Sequence, residues 1–385
     1  MGICNMEKTD GVKKRIGIHV FYNEDGLVKS FHEFLLDSIC PIMDKLIITV
    51  NGDLKSEGKK ILEKYTKNIY YRKNIGFDGG AYKDTILEFL KDEEWEKYDE
   101  LVLFNDTFYG PFCPMKEIFY EMEKEDVDFW GLSRWPENKS IYVSSYKNLP
   151  THIQSYFVVI NRQMFLSNLF FDFFSKISYP RSHAEAVEDF EIKFSTFFME
   201  AGFQCTSWID WYNENNEQGI TVETDEKASY LYDINFPILK RRAICGLNDK
   251  EIEKVYECIK KTSGFPIVSM KKDRDEMLRN GKCLPFSIDT LQRFIEQKKR
   301  IYIYGNGIYK NVVVGYMREN GYLYEGIVVS KKMKKEKELI EFSELTLSQE
   351  DGLIIALGYK NAKEVYEKVT DKFNADLVLF PQNIY

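Results

Sequence analysis

Short continuous apolar runs alternate with segments of helical hydrophobic spacing through the first 240 residues of this chain. RIGIHVFY, from Arg15, is an uninterrupted run of the kind parallel strands use when both faces are covered. Leu27 to Ile39 has helical spacing, Pro41 stops it, and KLIITVN (Lys45 to Asn51) reads as the next strand. A helix from Ser56 to about Tyr65 and a strand NIYYRK lead to a glycine-containing turn at Asn74. A helix from Ala81 to about Leu90, the strand LVLFN, the helix MKEIFYEMEKE and the strand VDFWGLSRW follow. Thr151 to Ile160 (THIQSYFVVI) reads as one strand, MFLSNLFFDFFSKI as an apolar-faced helix, and Ala184 to Ala201 as a long helix ending at Gly202. Elements alternating at this length predict a doubly wound α/β sheet.

The pattern changes near residue 236. FPILKRRAICG is followed by helical spacing to about Gln297, with a break near residues 280 to 285. From Lys299 a second α/β alternation begins, with YIYGNG, YEGIVVS, DGLIIALG and ADLVLF as its strands, a Rossmann-like unit of three or four strands. The expected organisation is a tail at 1–14, an α/β domain at 15–235, a helical segment at 236–297 and a small Rossmann-like domain at 298–385.

Composition narrows the class. The chain has 385 residues, 44% hydrophobic and 30% charged, which indicates an ordered globular protein of two or three domains. A net charge of −8 argues against a nucleic-acid binder. The seven cysteines form no CxxC pair and there are only four histidines, so a Cys/His zinc site is not expected and reduced cytosolic thiols are. No apolar run approaches a membrane span, and the first residues lack the apolar core of a signal peptide. The expected location is cytoplasmic.

Three polar clusters stand out. Asn74, Gly76, Asp78, Gly79 and Gly80 form an acidic turn before a helix, where backbone donors and an acid can meet a sugar nucleotide; a capped strand-to-helix turn is the plainer reading. Asn105, Asp106 and Thr107 end a buried strand, where α/β sheets place ligands, and Asp106 with Asn105 is a candidate site for Mg²⁺ or Mn²⁺ against a diphosphate. An Asn-Asp turn before Gly110 and Pro111 is the rival. Glu188, Asp189 and Glu191 supply carboxylates able to take a proton, although acids are common in a first helical turn. His152 and Gln154, on one face of a strand, and Trp130 are acceptor-side candidates against a core-packing alternative. Lys240 and Arg241 would neutralise a leaving diphosphate if their segment reached the cleft, solvated surface being the default. In YGNGIYK, Gly305 and Gly307 match two glycines of a dinucleotide fingerprint, but Lys310 replaces the third and no acid ends the next strand, so NAD binding is not expected.

NIGFDGGAYKD, LVLFNDTFYGP, VDFWGLSRW, HIQSYFVVI and EDFEIKFSTFFMEAGF, in that order, resemble the rhamnan synthesis protein F family of bacterial polysaccharide glycosyltransferases over residues 15 to 245. The resemblance implies a GT-A-like mixed sheet and a transferase that moves a sugar, rhamnose by family, from a nucleotide donor such as dTDP-rhamnose. It implies an inverting reaction and an acceptor glycan, on a polyprenyl-diphosphate carrier, with peripheral contact at the inner face of the plasma membrane. Asn74, Gly76, Asp78, Gly79 and His19 would then face the donor. Asn105-Asp106-Thr107 takes the place of a DxD element, with Asn for the first acid and Thr for the second. Counting back from Gly202 favours Glu191 as base, whereas the Glu-Asp dipeptide favours Asp189, the preferred choice. A catalytically silent glycan-binding or scaffold protein is the alternative.

Overall fold

The computed structural model describes residues 13–137, 146, 148–210, 237–331 and 338–381. The tail's residues 1–12, the far end of the first expected domain at 211–235 and the lysine-rich residues 332–337 lie outside the described residues. Two compact units are present, one from Met1–Thr221 with Phe236–Ile238 and the other from Val222–Asn235 with Leu239–Tyr385.

The first unit is a mixed sheet flanked by helices. Its strands are β1 (Arg15–Phe21), β2 (Lys45–Asn51), β3 (Ile69–Arg72), β4 (Glu100–Asn105), β6 (Phe129–Trp135), β7 (His152–Ile153), β8 (Phe157–Asn161) and β9 (Cys205–Asp210); a short extended pair, β5 (Phe108–Tyr109), lies outside it. The order runs β3-β2-β1-β4-β8-β6-β7, with β9 also paired to β6. Strands β3, β2, β1 and β4 are parallel, and β8 enters antiparallel to both β4 and β6. All seven residues of β1 and all six of β4 are buried, as expected for strands covered on both faces.

Helices α1 (Ser30–Ile39), α2 (Ser56–Leu62), α3 (Phe77–Asp84), α4 (Met115–Met122), α5 (Arg162–Phe165), α6 (Asn168–Lys176), α7 (His183–Ala186) and α8 (Lys193–Glu200) connect these strands. A π-helical turn, Val187–Ile192, joins α7 to α8. Phenylalanines bind α6 to this segment: Phe173 meets Phe194 edge-on at 5.4 Å and Phe174 lies 6.3 Å from Phe190. Burying each ring contributes roughly 2–3 kcal/mol.

Two elements depart from the sequence pattern. The helix expected at Ala81 begins at Phe77, so Asp78, Gly79 and Gly80 are helical. THIQSYFVVI is not one strand but β7 and β8 separated by a turn at residues 154–156. There Ser155 gives both its amide and its hydroxyl to the Glu191 carboxylate, at 2.7 Å each, and Gln154 N–H goes to Ser133 O. His152 and Gln154 therefore do not share a strand face.

The second unit contains β10 (Leu239–Lys240), α9 (Asp249–Thr262), α10 (Ile267–Arg279) and α11 (Ile288–Glu296). After them come β11 (Arg300–Tyr304), α12 (Ile308–Glu319), β12 (Gly326–Val329), β13 (Leu339–Glu341), β14 (Asp351–Ile355), α13 (Tyr359–Thr370) and β15 (Val378–Leu379). Its sheet is all parallel, ordered β13-β12-β11-β14-β15, one strand more than the pattern suggested. Gly315 of α12 lies against Leu278 of α10, where a Cβ would come within 2.9 Å, so the helical segment packs onto this sheet's own helix. Among the described residues no helix is long and apolar enough to cross a membrane.

One buried ion cluster ties β1 to β4. Glu100, 1% exposed, accepts from Arg15 Nε at 2.6 Å and Lys13 Nζ at 2.7 Å, and the Arg15 guanidinium lies 4.6 Å above Phe119. Removing one member of a buried pair strands the other. Glu100→Ala is expected to lower unfolding free energy by roughly 3 kcal/mol in denaturant titrations.

Candidate functional site

Parallel strands deliver their carboxyl ends to one edge, and the polar residues there are joined. Asn105, the last residue of β4, donates through Nδ2 to Asp78 Oδ2 of α3 at 2.8 Å. Its Oδ1 accepts from both the amide and the hydroxyl of Thr107, at 3.1 and 2.8 Å. Asp106 Oδ2 accepts Tyr22 N–H at 3.2 Å, just past the end of β1, and stands 3.6 Å from His32 Nε2. His32 Nδ1 accepts Lys29 N–H, which leaves Nε2 as the protonated nitrogen of a neutral ring. Burial first, then the Asp78 and Asp106 carboxylates, pushes the Tyr82 phenol well above its ordinary pKa, so the hydroxyl stays protonated beside both acids. The turn at Asn74 and the loop after β4 thus meet.

The glycines in this turn serve packing. A Cβ on Gly79 would come within 2.7 Å of Phe190 Cγ, in the π-helical turn. On Gly76 it would lie 2.7 Å from Tyr179, and on Gly80 2.6 Å from Ile75 O. Gly76 has φ 76°, and Phe77 follows at φ 55°, the one non-glycine residue with positive φ among those described. Such a conformation costs a bulky residue about 1–3 kcal/mol. Arg72 at the end of β3 holds it: Nε donates to Asp84 at 2.7 Å, Nη2 to Ile75 O at 2.8 Å, and Nη1 to Asn51 Oδ1. Asn51 in turn donates to Phe77 O at 3.2 Å.

The three acids near residue 190 take different positions. Glu191 is engaged by Ser155 at Oε2 and stands 3.6 Å from His152 Nε2 at Oε1. Asp189 is more open and accepts from Ser178 Oγ at 3.2 Å. Glu188 lies in the same π-helical turn, a local widening that often accompanies functional sites. A cleft of about 710 Å³ opens beside them, with Asn74, Gly76 and Phe77 on one wall and Ser178, Tyr179 and Arg181 on the other. Of the residues singled out in the sequence, only Asn74 and Gly76 line it.

Several candidates are elsewhere. His19 is fully buried and stacked 4.6 Å from Phe104, with no exposed ring atom to offer a donor. Trp130 is 2% exposed and edge-on to Phe119 at 5.2 Å, a core residue rather than a sugar platform. Gln154 accepts from Ser133 Oγ at 2.7 Å inside the sheet, and buried His152 pairs its Nδ1 with Pro150 O at 2.8 Å. Lys240 and Arg241 belong to the second unit, where Arg241 holds buried Asp273 through bonds of 2.9 and 3.0 Å. Phe77 lies within NIGFDGGAYKD but is not singled out by the sequence, and Tyr179 and Arg181 carry only the signal of SYPR at 178–181, an aromatic-Pro-Arg loop between helices.

For a metal, Asp106 offers one carboxylate, while Asn105 Oδ1 is already taken by Thr107. Among the described residues no group of three or more His, Cys, Asp or Glu is placed to hold an ion. This donor set fits a cation carried largely by substrate phosphates and does not fit an all-protein cage.

Two measurements test this account. Gly79→Ala is expected to cost roughly 1–3 kcal/mol of stability by pushing Phe190 out of register, read by chemical denaturation. The buried His19 imidazole is held neutral to about pH 3 by loss of solvation, against the backbone at Phe104, which pulls the other way. An unfolded histidine protonates below about 6.5, so stability falls as pH drops from there toward 3, by up to about 1.4 kcal/mol per unit. His19→Phe is expected to flatten that slope in denaturation curves at pH 7, 6 and 5.

The sequence model described as Rhamnan synthesis protein F matches residues 46–338, reaching further into the second unit than the motifs at 15 to 245. Protein y4gN of Sinorhizobium fredii is 26% identical over 197 residues, 51% of this chain and 49% of its own length. Virulence protein VirA of Vibrio anguillarum is 24% identical over 203 residues, 50% of this chain and 59% of its own. The chain's match thus spans about half the length of these curated relatives. Among solved structures, core-mannan synthase A of Aspergillus fumigatus in its Mn/GDP form aligns with TM-score 0.29 at 12% identity, covering 48% of this chain and 70% of that one.

Proposed function

The chain belongs to the rhamnan synthesis protein F family, and from that premise we propose that it is a glycosyltransferase. It transfers a sugar from a nucleotide-sugar donor to a growing polysaccharide. The observation that carries this reading is the Asn105–Asp78 hydrogen bond, which fixes an acidic helix start beside the carboxylate of Asp106 at the end of β4. The family favours activated rhamnose, such as dTDP-rhamnose, as donor, and a glycan on a polyprenyl-diphosphate carrier as acceptor. That acceptor would bring the protein to the inner face of the plasma membrane.

The chemistry is a single displacement with inversion. An acceptor hydroxyl attacks the anomeric carbon, the bond from that carbon to the diphosphate oxygen breaks, and its electron pair leaves with the nucleoside diphosphate. The acceptor's proton passes to a carboxylate. Asp189 suits this role because its position is open and a hydroxyl, Ser178, already orients it. Glu191 is committed to Ser155, so its part is to hold the turn between β7 and β8. Asp78 orients the donor, and Asn74 lies in the wall of the neighbouring cleft. Asp106, together with the donor's own phosphates, would hold Mg²⁺ or Mn²⁺, which when bound supplies positive charge against the leaving diphosphate.

Nucleoside diphosphate release from a panel of nucleotide sugars, with Mg²⁺ or Mn²⁺ and an acceptor lipid, tests the proposal. Asp189→Asn is expected to lower kcat on the order of 10²–10⁴-fold, and Asp106→Ala on the order of 10²-fold. Glu191→Gln is expected to act mainly on stability, by roughly 1–3 kcal/mol. Release from no donor, or polysaccharide unchanged in cells carrying Asp106→Ala, would favour the scaffold alternative.

A further inference from the structure

We infer that the cleft between Asn74–Phe77 and Ser178–Arg181 is a saccharide subsite holding the acceptor sugar. This deepens the glycosyltransferase reading and rests on it for the word acceptor, though not for the binding of a sugar.

Three observations point there. First, the walls are aromatic and open: Phe77 is 38% exposed and Tyr179 39%, against the general burial of this chain's large aromatic side chains. Aromatic side chains suit the C–H side of a pyranose, the apolar patch of an otherwise hydroxylated ring. Phe77 also presents itself from a left-handed backbone, a costly conformation of the kind that clusters at ligand sites.

Second, the walls are preorganised. Tyr179 donates its hydroxyl to Asp84, which pushes its pKa up to about 12, and Lys83 Nζ lies 5.0 Å from the ring centroid. Lys83 is itself fixed by the carbonyls of Ser175 and Ile177, at 3.2 and 2.7 Å. Little ordering is left for a ligand to bring about. The cleft's 710 Å³ lies within the roughly 300–1,000 Å³ of small-molecule sites.

Third, the polar groups suit a sugar. Arg181 is exposed, and among the described residues no carboxylate pairs with its guanidinium, whose five donors can meet neighbouring hydroxyls. Glu185 on the same wall accepts Arg181's backbone N–H at 2.7 Å. Ser178, at the rim, holds Asp189. A hydroxyl of a sugar seated here would face the proposed base. The carboxylates of Asp78 and Asp106 do not line this cleft, which separates it from the donor side.

The test uses the full chain and four probes, the methyl pyranosides of rhamnose, glucose, galactose and N-acetylglucosamine, by saturation-transfer NMR. In parallel, dTDP and UDP binding is measured by calorimetry. At least one glycoside is expected to receive saturation, falling at least about fivefold in Phe77→Ala and Arg181→Ala and recovering in Phe77→Trp, while nucleotide affinity stays within about twofold. Arg181 is a surface side chain, so its variant reports binding even if Phe77→Ala unfolds. Saturation of no glycoside, or equal saturation in Arg181→Ala, overturns the inference. A nucleotide affinity that instead falls about tenfold in these variants makes the cleft a nucleotide site and likewise overturns it. Glycoside binding without nucleotide release from any donor would leave the subsite standing and defeat only the transferase reading.

Discussion

The close approach of α3 to the π-helical turn is the contact on which the rest of the site depends. Gly79 leaves no room for a Cβ against Phe190, so the backbone carrying Asp78 and the backbone carrying Glu188, Asp189 and Glu191 are pressed together. Phe190 is in turn held by the phenylalanines of α6. Packing of uncharged surfaces thus sets the distance between groups whose chemistry is electrostatic. A close-packed core transmits such a constraint because it has few voids to absorb a shift.

Within this frame four of the carboxylates each accept from at least one neutral donor. Asp78 is met by an amide, Asp106 by a backbone N–H, Asp189 by a hydroxyl and Glu191 by an amide and a hydroxyl. Asp84, at the far end of α3, is paired with Arg72 at 2.7 Å. Asp84 keeps Arg72 and Tyr179 in place.

Much of this was legible in the sequence. KLIITVN is β2 to the residue, and the polar end of LVLFN lies at the carboxyl edge, because buried parallel strands leave an unambiguous apolar run. The start of α3 was misread because two glycines and a left-handed Phe77 look like a turn, and only tertiary bonds from Arg72 and Asn51 make the helix begin there. THIQSYFVVI reads as one strand by alternation, yet a carboxylate 36 residues away captures Ser155 and breaks it. His19 and Trp130 read as ligand residues because a sequence shows residue type and not depth. Tyr179 and Arg181 lie in a loop with no periodicity, so the composition of SYPR alone advertises their wall of the cleft.

The widened turn at Val187–Ile192 has a consequence for how this segment can vary. A π turn holds one residue more than an α turn, and the wider winding absorbs that surplus between α7 and α8. Losing a single amino acid there would restore regular winding and leave the segments on either side close to their present phase, because the wider turn spends its surplus residue within one circle. The change would fall on the residues inside the turn, Glu188, Asp189 and Glu191, whose directions depend on the wider winding.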